Sequence, residues 1–507
     1  MNAPSLLVPF DQAIRNLFPD APLGPDNQIV LPHGIAETTI LRRLGLNVPA
    51  PVNTHYQYSG TRPPFRVQRV TVEMLTMNQR AYVLSGMGVG KTACPLWAYD
   101  FLRQQGQVKK MLIVAPLSTL EFVWVAEMLK IQSPYKAVVV YGSNKEKRLK
   151  LLKEDADIYI TNHDGAVVLH DELLKRDDID VLVIDELAVY RNRTTRTKLM
   201  KALAAKKKWV WGMTGSPAPK APTDVWNQAN IVTPDTIPKF FNQFRSQLMY
   251  KATSFLWLPK SDAHEKAYEV LQPSVRFTLE DVGELPGYIS RVQEVPLGPL
   301  QKKIYNEIRK DGLAILQSGD FISPVNKGVL ENKLLQISLG YVYVNDKVVA
   351  LDNQARITAI LDILEGTDEQ VLIFGAYKHA IHAIHEAVTH AGFKSAVVTS
   401  DTPARDRSVI FNAFQNENAY KVIVGHPGCM AHGLTLTAAS IVIWPGPITS
   451  LEIYDQANAR VRRTGQTKKQ LFLHLAGTPA EKRRYSALTD AQNQQYKLLD
   501  MFEEELL

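Results

Sequence analysis

Short runs of apolar residues alternate with longer amphipathic segments along most of this chain. Between about residues 65 and 215 the short runs are almost continuously apolar, as in AYVL, MLIVA, VLVID and WVWGM. Strands of this kind are buried on both faces, which is typical of a parallel sheet covered by helices. The intervening segment CPLWAYDFLRQQ has the spacing of a covering helix. This part of the chain therefore predicts an α/β lobe.

A second series of the same kind follows nearer the C-terminus, with the runs QVLIF, SAVVT, KVIVG, SIVIW and LFLHL. Helical segments such as HAIHAIHEAVTHAG separate these runs. Between the two series, TDVWNQANIVTPDTIPKFFNQFRSQL and LQKKIYNEIRKDGLAIL predict helices divided by proline-rich turns. The fold class is therefore α/β, with two parallel-sheet lobes and a helical insertion between them.

These patterns divide the chain into five expected parts. The parts are a small N-terminal extension at 1–60, a first lobe at 61–220, a helical insertion with the start of the second lobe at 221–350, a second lobe at 351–480, and a C-terminal helix at 481–507. The extension contains one amphipathic segment, AETTILRRLGL.

Composition and charge indicate which partners, metal or disulfide sites and targeting segments to expect. The net charge of +7 over 507 residues fits a polyanionic partner without identifying one. The two cysteines, Cys94 and Cys429, lie too far apart in sequence to indicate a disulfide framework or a zinc site. No signal peptide and no apolar run of about 18 residues is evident. We expect a cytoplasmic monomer.

The segment SGMGVGKT, residues 85–92, follows an apolar run and precedes a predicted helix. Glycines allow the backbone N–H groups to point at phosphate oxygens, and the helix N-terminus adds positive partial charge. In this hypothesis the lysine reaches the β- and γ-phosphates and the threonine hydroxyl binds Mg²⁺. The phosphate-binding residues are Gly86, Gly88, Gly90, Lys91 and Thr92. Ser85 replaces the first glycine of the pattern, and a plain strand-to-helix turn remains the alternative.

Two carboxylates follow a second buried strand in VLVIDELA. Ligands of open α/β sheets bind at the carboxyl ends of the strands, where Asp185 and Glu186 lie. Asp185 could hold Mg²⁺, and Glu186 could orient and deprotonate the attacking water. The alternative is a solvated strand end.

Two further segments add candidate residues. Thr214 and Ser216 in TGSP follow a strand, and the alternative for them is a simple turn. In YDQANARVRRTGQ, residues 454–466, a helix would bring Gln456, Arg460 and Arg463 near one face. The two arginines could then act on the γ-phosphate from the second lobe as arginine fingers. A solvated basic helix face is the alternative.

With these motifs the chain resembles superfamily 2 helicase-like ATPases, related to DEAD/DEAH proteins, and within them the SWI/SNF-type translocases. The resemblance runs from about residue 62 to 485. MLIVAPLSTLEFVWVAEM is similar to motif Ia, YITNHD to Ib, VIDELAVYRNRTTRTKLMKAL to II, TGSP to III, and VLIFGAY to IV. GLTLTAAS and VIWPGPITSLEIYDQANARVRRTGQ are similar to motifs V and VI. The absence of an evident accessory domain resembles a compact bacterial or phage form.

The resemblance implies RecA-like lobes, ATP and Mg²⁺ as cofactors, and further site residues. Gln68 in PFRVQRV would bind adenine, since an amide can bond that base twice. Gly433 and Thr435 would lie near the nucleotide, with Gln456 beside them. Thr214 and Ser216 would couple hydrolysis to movement.

Two segments depart from the family pattern. The family's DEAH or DEGH becomes Asp185-Glu186-Leu187-Ala188, so the histidine that links motif II to other motifs is missing. Motif V, which usually begins Ser-Thr-Arg/Lys-Ala-Gly, reads His426-Pro427-Gly428-Cys429-Met430. We therefore expect altered contacts between the second lobe and nucleic acid.

Candidate nucleic-acid contacts are hydroxyl, imidazole and guanidinium groups in motifs Ia and Ib and in the lobe 2 stretch VVTSDTPARDR. They are Ser118, Thr119, His163, Thr399 and Arg405. Each has a structural alternative, such as a helix cap for the first two or a buried histidine for the third.

We expect an ATP-dependent DNA translocase that tracks duplex DNA, because no aromatic ladder for stacking unpaired bases is visible in the sequence. A helicase that separates strands, acting on single-stranded DNA or RNA, is the first alternative. A low-turnover, ATP-gated clamp on nucleic acid or protein is the second.

Overall fold

The computed structural model describes residues 5–253, 256–283, 286–317, 324–344, 347–430, 435–463 and 465–490. These residues form two units, the first ending at residue 282 and the second beginning at residue 283. Within the described ranges, every helix falls short of the length and hydrophobicity that crossing a bilayer requires.

The first unit is organised around a seven-stranded sheet in which every neighbouring pair of strands is parallel. The strand order is β11-β3-β8-β7-β4-β6-β5. Two antiparallel hairpins, β1-β2 and β9-β10, lie outside this sheet. The strands are β1 Ser5–Val8, β2 Ile29–Pro32, β3 Arg80–Val83, β4 Lys110–Ala115, β5 Ala137–Val139, β6 Ile158–Asn162, β7 Ile179–Asp185, β8 Trp209–Met213, β9 Met249–Lys251, β10 Trp257–Pro259 and β11 Ser274–Val275.

The helices of the first unit connect these strands and cover both faces of the sheet. They are α1 Gln12–Leu17, α2 Ile35–Arg43, α3 Pro51–His55, α4 Arg66–Met77, α5 Ala93–Gln104, α6 Ala126–Lys130, α7 Lys145–Leu152, α8 His163–Val168, α9 His170–Leu174, α10 Thr195–Ala205, α11 Val225–Val232, α12 Phe241–Leu248 and α13 Ala263–Val270.

The continuous apolar runs are explained by this covering. Successive side chains of a strand point to opposite faces of the sheet. In β4, Leu112 and Val114 pack into one core while Met111 and Ile113 pack into the other. The N-terminal hairpin and α2 share a separate small core that includes Ile29.

The second unit has a six-stranded parallel sheet in the order β12-β19-β18-β15-β17-β16. Outside this sheet, β13 and β14 form a separate antiparallel pair. The strands of the second unit are β12 Tyr288–Glu294, β13 Tyr341–Val344, β14 Lys347–Ala350, β15 Gln370–Phe374, β16 Ser395–Val398, β17 Val422–Gly425, β18 Ala439–Trp444 and β19 Gln470–Ala476. Its helices are α14 Pro299–Gln317, α15 Pro324–Ser338, α16 Gln354–Glu365, α17 Lys378–His390, α18 Ala404–Glu417, α19 Pro427–Met430 and α20 Leu451–Asn458. Residues 479–490 are also helical, and the rest of the expected C-terminal helix lies outside the described residues.

The two predicted α/β lobes are confirmed, and so are the helices expected in the insertion. The units divide the chain differently from the expected boundaries at 220 and 350. Residues 221–282 belong to the first unit, because β11 pairs in parallel with β3. Residues 288–350 belong to the second, because β12 pairs with β19. Neither edge strand has a continuous apolar run: β11 has two residues, and β12 is mostly exposed.

Candidate active site

Three neighbouring strands of the first unit deliver the predicted ATP-site motifs to the same edge of the sheet. In the order β3-β8-β7, the phosphate loop follows β3, Thr214 follows β8, and Asp185 ends β7. Because these strands are parallel, their carboxyl ends meet at one edge. The sheet thus brings together residues that lie more than 120 positions apart in the chain, from Lys91 to Thr214.

The phosphate loop has the backbone that its glycines predict. Gly88 and Gly90 have φ angles of 86° and 76°, a backbone region that residues other than glycine rarely adopt. At Gly90, an added Cβ would also lie only 2.5 Å from Nε2 of Gln68. Thr92 directly precedes α5, so the loop opens onto a helix N-terminus. This arrangement fits a bound phosphate chain.

Ser85, which replaces the first glycine of the motif, has a structural use. It is 1% exposed, and its hydroxyl accepts a hydrogen bond from the Phe277 backbone N–H at 3.0 Å. The Gly86 N–H in turn donates to the Phe277 carbonyl at 2.8 Å. The Lys91 ammonium donates to the Ser85 carbonyl at 3.3 Å. The serine therefore fastens the loop to the segment that follows β11.

Gln68 lies in α4 against the phosphate loop. Its side chain is 3% exposed and donates through Nε2 to the Gly90 carbonyl at 2.9 Å, while Oε1 accepts from the Phe65 N–H at 2.9 Å. It also lines a cavity of about 350 Å³ together with Arg62 and Trp97. Each polar end of the amide has a protein partner and can make one more bond.

Asp185 sits at the end of β7. Its carboxylate accepts hydrogen bonds from Trp124 Nε1 at 3.2 Å and from the Glu186 N–H at 3.1 Å. Burial raises the pKa of Asp185 above its usual value, while the charge of Lys91 and the bond from Trp124 act in the opposite direction. A carboxylate in this setting, beside a lysine, suits the binding of a cation and a phosphate together.

Glu186 adopts the left-handed conformation, with φ 58° and ψ 53°. This turns the chain sharply after the strand and separates Glu186 from its neighbour Asp185. Thr214 Oγ1 donates to Glu186 Oε1 at 3.3 Å, and it accepts from the Ser216 N–H at 3.2 Å. A hydroxyl group from the strand between the two motifs therefore contacts the candidate catalytic base.

The position where the family has histidine is occupied by Ala188. Ala188 and Leu187 are both 0% exposed and lie in a short 3₁₀ helix, Leu187–Tyr190, packed into the core. In this chain the residues that follow Glu186 fill core space instead of offering a polar side chain to other motifs.

In the second unit, the prediction of one continuous helix over 454–466 is wrong. Helix α20 ends at Asn458, so Gln456 is helical whereas Arg460 and Arg463 lie in the turns that follow. The Arg460 carbonyl accepts a bond from the Leu436 N–H at 3.0 Å, so it is directed at the motif V segment. Arg460 Nε bonds to the Gln456 carbonyl at 2.9 Å.

The exposure of these second-unit residues differs. Gln456 and Arg460 are 6% and 7% exposed, Arg463 is half-buried, and Thr435 is exposed. The predicted residue Gly433 lies outside the described residues.

The five candidate nucleic-acid contacts fall into two groups. Ser118 and Arg405 are exposed. Thr119, His163 and Thr399 are buried and bonded within the protein. The Thr119 hydroxyl donates to the Pro116 carbonyl at 2.8 Å, His163 Nδ1 lies 2.9 Å from the Tyr190 hydroxyl, and Thr399 Oγ1 accepts from the Asp401 N–H. These positions favour structural roles for the three residues, although the Thr119 hydroxyl bonds to a carbonyl and does not cap the helical segment that follows.

Two residues of this site were not found from the sequence. Trp124, which bonds to Asp185, lies in a π-helical segment, Leu120–Val125, and nothing in motif Ia marks it as a partner of motif II. Phe277 reaches the phosphate loop through a two-residue strand 192 positions from Ser85. Long-range pairing of this kind leaves no local signal in one sequence.

Comparison with known proteins gives two family matches. A model described as SNF2-related domain matches residues 69–338, which is more than half of the chain. A model described as Helicase conserved C-terminal domain matches residues 355–465. Together the two matches cover the first sheet and every strand of the second sheet except β19.

Curated relatives and solved structures resemble the chain at low identity. A protein of Acyrthosiphon pisum secondary endosymbiont phage 1, named Putative protein p41, is 25% identical over 448 residues, covering 82% of this chain and 92% of the phage protein. An uncharacterized ATP-dependent helicase of Mycoplasma genitalium is 24% identical over 446 residues, covering 84% of this chain and 41% of the helicase. The SWI2/SNF2 ATPase core of Sulfolobus solfataricus in complex with double-stranded DNA is 20% identical with a TM-score of 0.42, covering 89% of this chain and 97% of that one.

Proposed function

Because this chain belongs to the SNF2-related family of superfamily 2 helicase-like ATPases, we propose that it couples ATP hydrolysis to movement along double-stranded DNA. Membership of the family makes the chain an ATP-hydrolysing enzyme that acts on nucleic acid. The duplex as the track, and translocation as the outcome, are the finer statements that we propose.

One observation carries the proposal: Thr214 contacts Glu186 from the strand that separates the phosphate loop from motif II. An added Cβ at the next residue, Gly215, would lie 3.9 Å from Lys91 Nζ. A change at the γ-phosphate that moves Glu186 would therefore reach motif III through the Thr214 hydroxyl. Such a link is what an enzyme needs in order to convert hydrolysis into a conformational change.

In this proposal the first unit holds the nucleotide. Lys91 binds the β- and γ-phosphates, while the backbone of the glycine loop and the start of α5 receive the phosphate oxygens. Thr92 and Asp185 hold Mg²⁺, which would neutralise charge on the phosphates. Glu186 orients the attacking water and accepts its proton. Gln68 and the cavity beside it accommodate the adenine.

The second unit contributes the arginines. We propose that Arg460 and Arg463 stabilise the charge that develops on the γ-phosphate, with Gln456, Thr435 and Gly433 near the nucleotide. Among the candidate nucleic-acid contacts, we propose Ser118 and Arg405, because both are exposed.

A panel of steady-state ATPase assays tests the proposal, with no nucleic acid, duplex DNA, single-stranded DNA and RNA. Duplex DNA should stimulate turnover most, and the protein should displace a third strand from a triplex in an ATP-dependent manner. Greater stimulation by single strands, with unwinding of a partial duplex, would instead identify a strand-separating helicase. Tight ATP binding without turnover on any nucleic acid would identify a clamp.

A further inference from the structure

A cluster of stacked aromatic and arginine side chains lies on the first unit, outside the ATP site. Its members come from four separate parts of the chain. They are Arg193, Trp226, Phe240, Phe241, Arg245 and Trp257, called here the aromatic–arginine surface.

Five of the six side chains of this surface are in direct contact, and Phe240 directly precedes Phe241 in the chain. The Arg193 guanidinium lies 4.4 Å from the ring centre of Phe241 and 4.9 Å from that of Trp226. Arg245 lies 4.1 Å from Trp257 and 5.7 Å from Phe241. These distances are within the range of cation–π attraction. Arginines and rings therefore alternate as Arg193, Phe241, Arg245 and Trp257, with Trp226 packed edge-on against Phe241 at 5.5 Å.

The positive charge of this surface is not neutralised by the protein. Across the described ranges, neither Arg193 nor Arg245 has a carboxylate within 4.0 Å. Arg245 Nε is buried without a hydrogen-bond partner, although Nη2 of the same residue donates to Asn242. Phe240 is 66% exposed beside them. An exposed ring next to guanidinium groups that no carboxylate neutralises suits an anionic ligand that also has flat apolar faces.

We propose that the aromatic–arginine surface binds unpaired nucleotides of a single-stranded nucleic acid. Bases stack on the exposed ring of Phe240, and phosphates pair with Arg193 and Arg245. The inference rests on the proposed function only for the class of ligand. It adds a second contact, for unpaired strands, to the proposed duplex track.

Consecutive side chains of α11 connect this surface to both catalytic motifs. Trp226 lies in the surface, and the Asn227 amide donates to the Arg191 carbonyl at 2.8 Å, five residues after Glu186. Gln228 donates to the carbonyl of Pro217, the last residue of motif III, at 2.6 Å. Occupation of the surface is therefore positioned to change ATP turnover.

Fluorescence anisotropy with labelled oligo-dT of about twelve nucleotides tests the binding, using an abasic strand of the same length as the second probe. The wild-type chain should bind oligo-dT about tenfold more tightly than the abasic strand. Phe240→Ala and Arg193→Ala should each weaken oligo-dT binding by about tenfold. Arg193→Lys, which keeps the charge but loses the planar group, should also weaken it.

Two exposed residues of the N-terminal region provide matched controls, since Phe10→Ala removes an exposed ring and Arg43→Ala removes an exposed guanidinium. Both should bind oligo-dT within about twofold of wild type. Equal binding of dT and abasic strands, or equal losses in the controls, would overturn the inference. If duplex DNA stimulates the ATPase while the surface variants still bind oligo-dT normally, the surface assignment fails and the translocase proposal stands. If the variants lose oligo-dT binding while no nucleic acid stimulates the wild-type ATPase, the surface assignment stands and the translocase proposal fails.

The connection through α11 is tested with Asn227→Leu. This variant should still bind oligo-dT, but the change in ATP turnover that oligo-dT causes in wild type should be lost. If oligo-dT changes the ATP turnover of Asn227→Leu as much as that of wild type, the connection through α11 is refuted.

Discussion

The contact between Thr214 and Glu186 makes a quantitative prediction. Thr214 is fully buried, and Thr214→Val replaces its hydroxyl with a methyl group of similar volume. The change removes the hydrogen bond to Glu186 Oε1 and leaves the Ser216 N–H without this acceptor. A hydrogen bond to a charged group contributes about 1.5–3 kcal/mol, and the 3.3 Å length places this one near the lower value. We therefore expect kcat to fall about tenfold.

The assay is steady-state ATPase activity at saturating nucleic acid, together with equilibrium binding of a fluorescent ATP analogue. Because the hydroxyl acts on the base and not on the phosphates, kcat should fall while nucleotide affinity changes by less than about twofold. Thr214→Ser keeps a hydroxyl and should retain most of the activity. The free energy of unfolding should fall by about 1–2 kcal/mol in the valine variant, from the loss of the two hydrogen bonds of the Thr214 hydroxyl.

A double-mutant cycle separates this mechanism from a general disturbance of the site. In a Glu186→Gln background the base is already lost, so adding Thr214→Val should cost little further activity. A folded Thr214→Val protein with wild-type kcat would refute the reasoning. Full additivity of the two changes would show that Thr214 acts through something other than Glu186.

Further predictions concern both units. Glu186→Gln should retain ATP binding and lose at least about 100-fold in turnover; in a filter-binding and ATPase experiment, wild-type turnover would exclude Glu186 as the base. Arg463→Ala should lower kcat while DNA affinity by anisotropy stays within about twofold; a pure loss of affinity would make it a phosphate contact instead. The buried ion pair of Arg356 and Glu481, 2.8 Å long, should make Arg356→Met about 3–5 kcal/mol less stable in urea denaturation; an unchanged midpoint and slope would contradict this. Burial lowers the pKa of His474 to about 4, below the unfolded value of about 6.5, so the unfolded state binds the extra proton. The stability contributed by neutral His474 is then full above pH 6.5 and is lost as pH falls towards 4, and His474→Asn should show a weaker loss of unfolding free energy between pH 7.5 and 5.

The strands and the catalytic motifs were predictable because each leaves a local signal. Continuous apolar runs give the central strands, and glycine, lysine and carboxylate residues at strand ends give the ATP site. The short strand β11 and the exposed strand β12 lack such runs, so the boundaries between the units were placed differently. Helix α20 ends at Asn458, and the Arg460 carbonyl beyond it accepts a bond from the Leu436 N–H, a long-range contact that no pattern in YDQANARVRRTGQ encodes.

The aromatic–arginine surface could not be predicted from the sequence either, because its members come from separate parts of the chain. No stretch of the sequence has a ladder of aromatic residues, and the duplex was favoured for that reason. Folding brings Arg193, Phe241, Arg245 and Trp257 together from α12 and from segments before and after it. A ladder assembled from distant positions is visible only in three dimensions.

The bonds that Ser85 and Gly86 make with Phe277 also determine how the phosphate loop can open. Neither the Gly86 amide nor the Phe277 amide can meet solvent until this pair of bonds separates. Deuterium uptake at these two amides should therefore rise and fall together as nucleotide binds and leaves. Peptides that contain Gly86 and peptides that contain Phe277 would then report the same rate of opening of the loop.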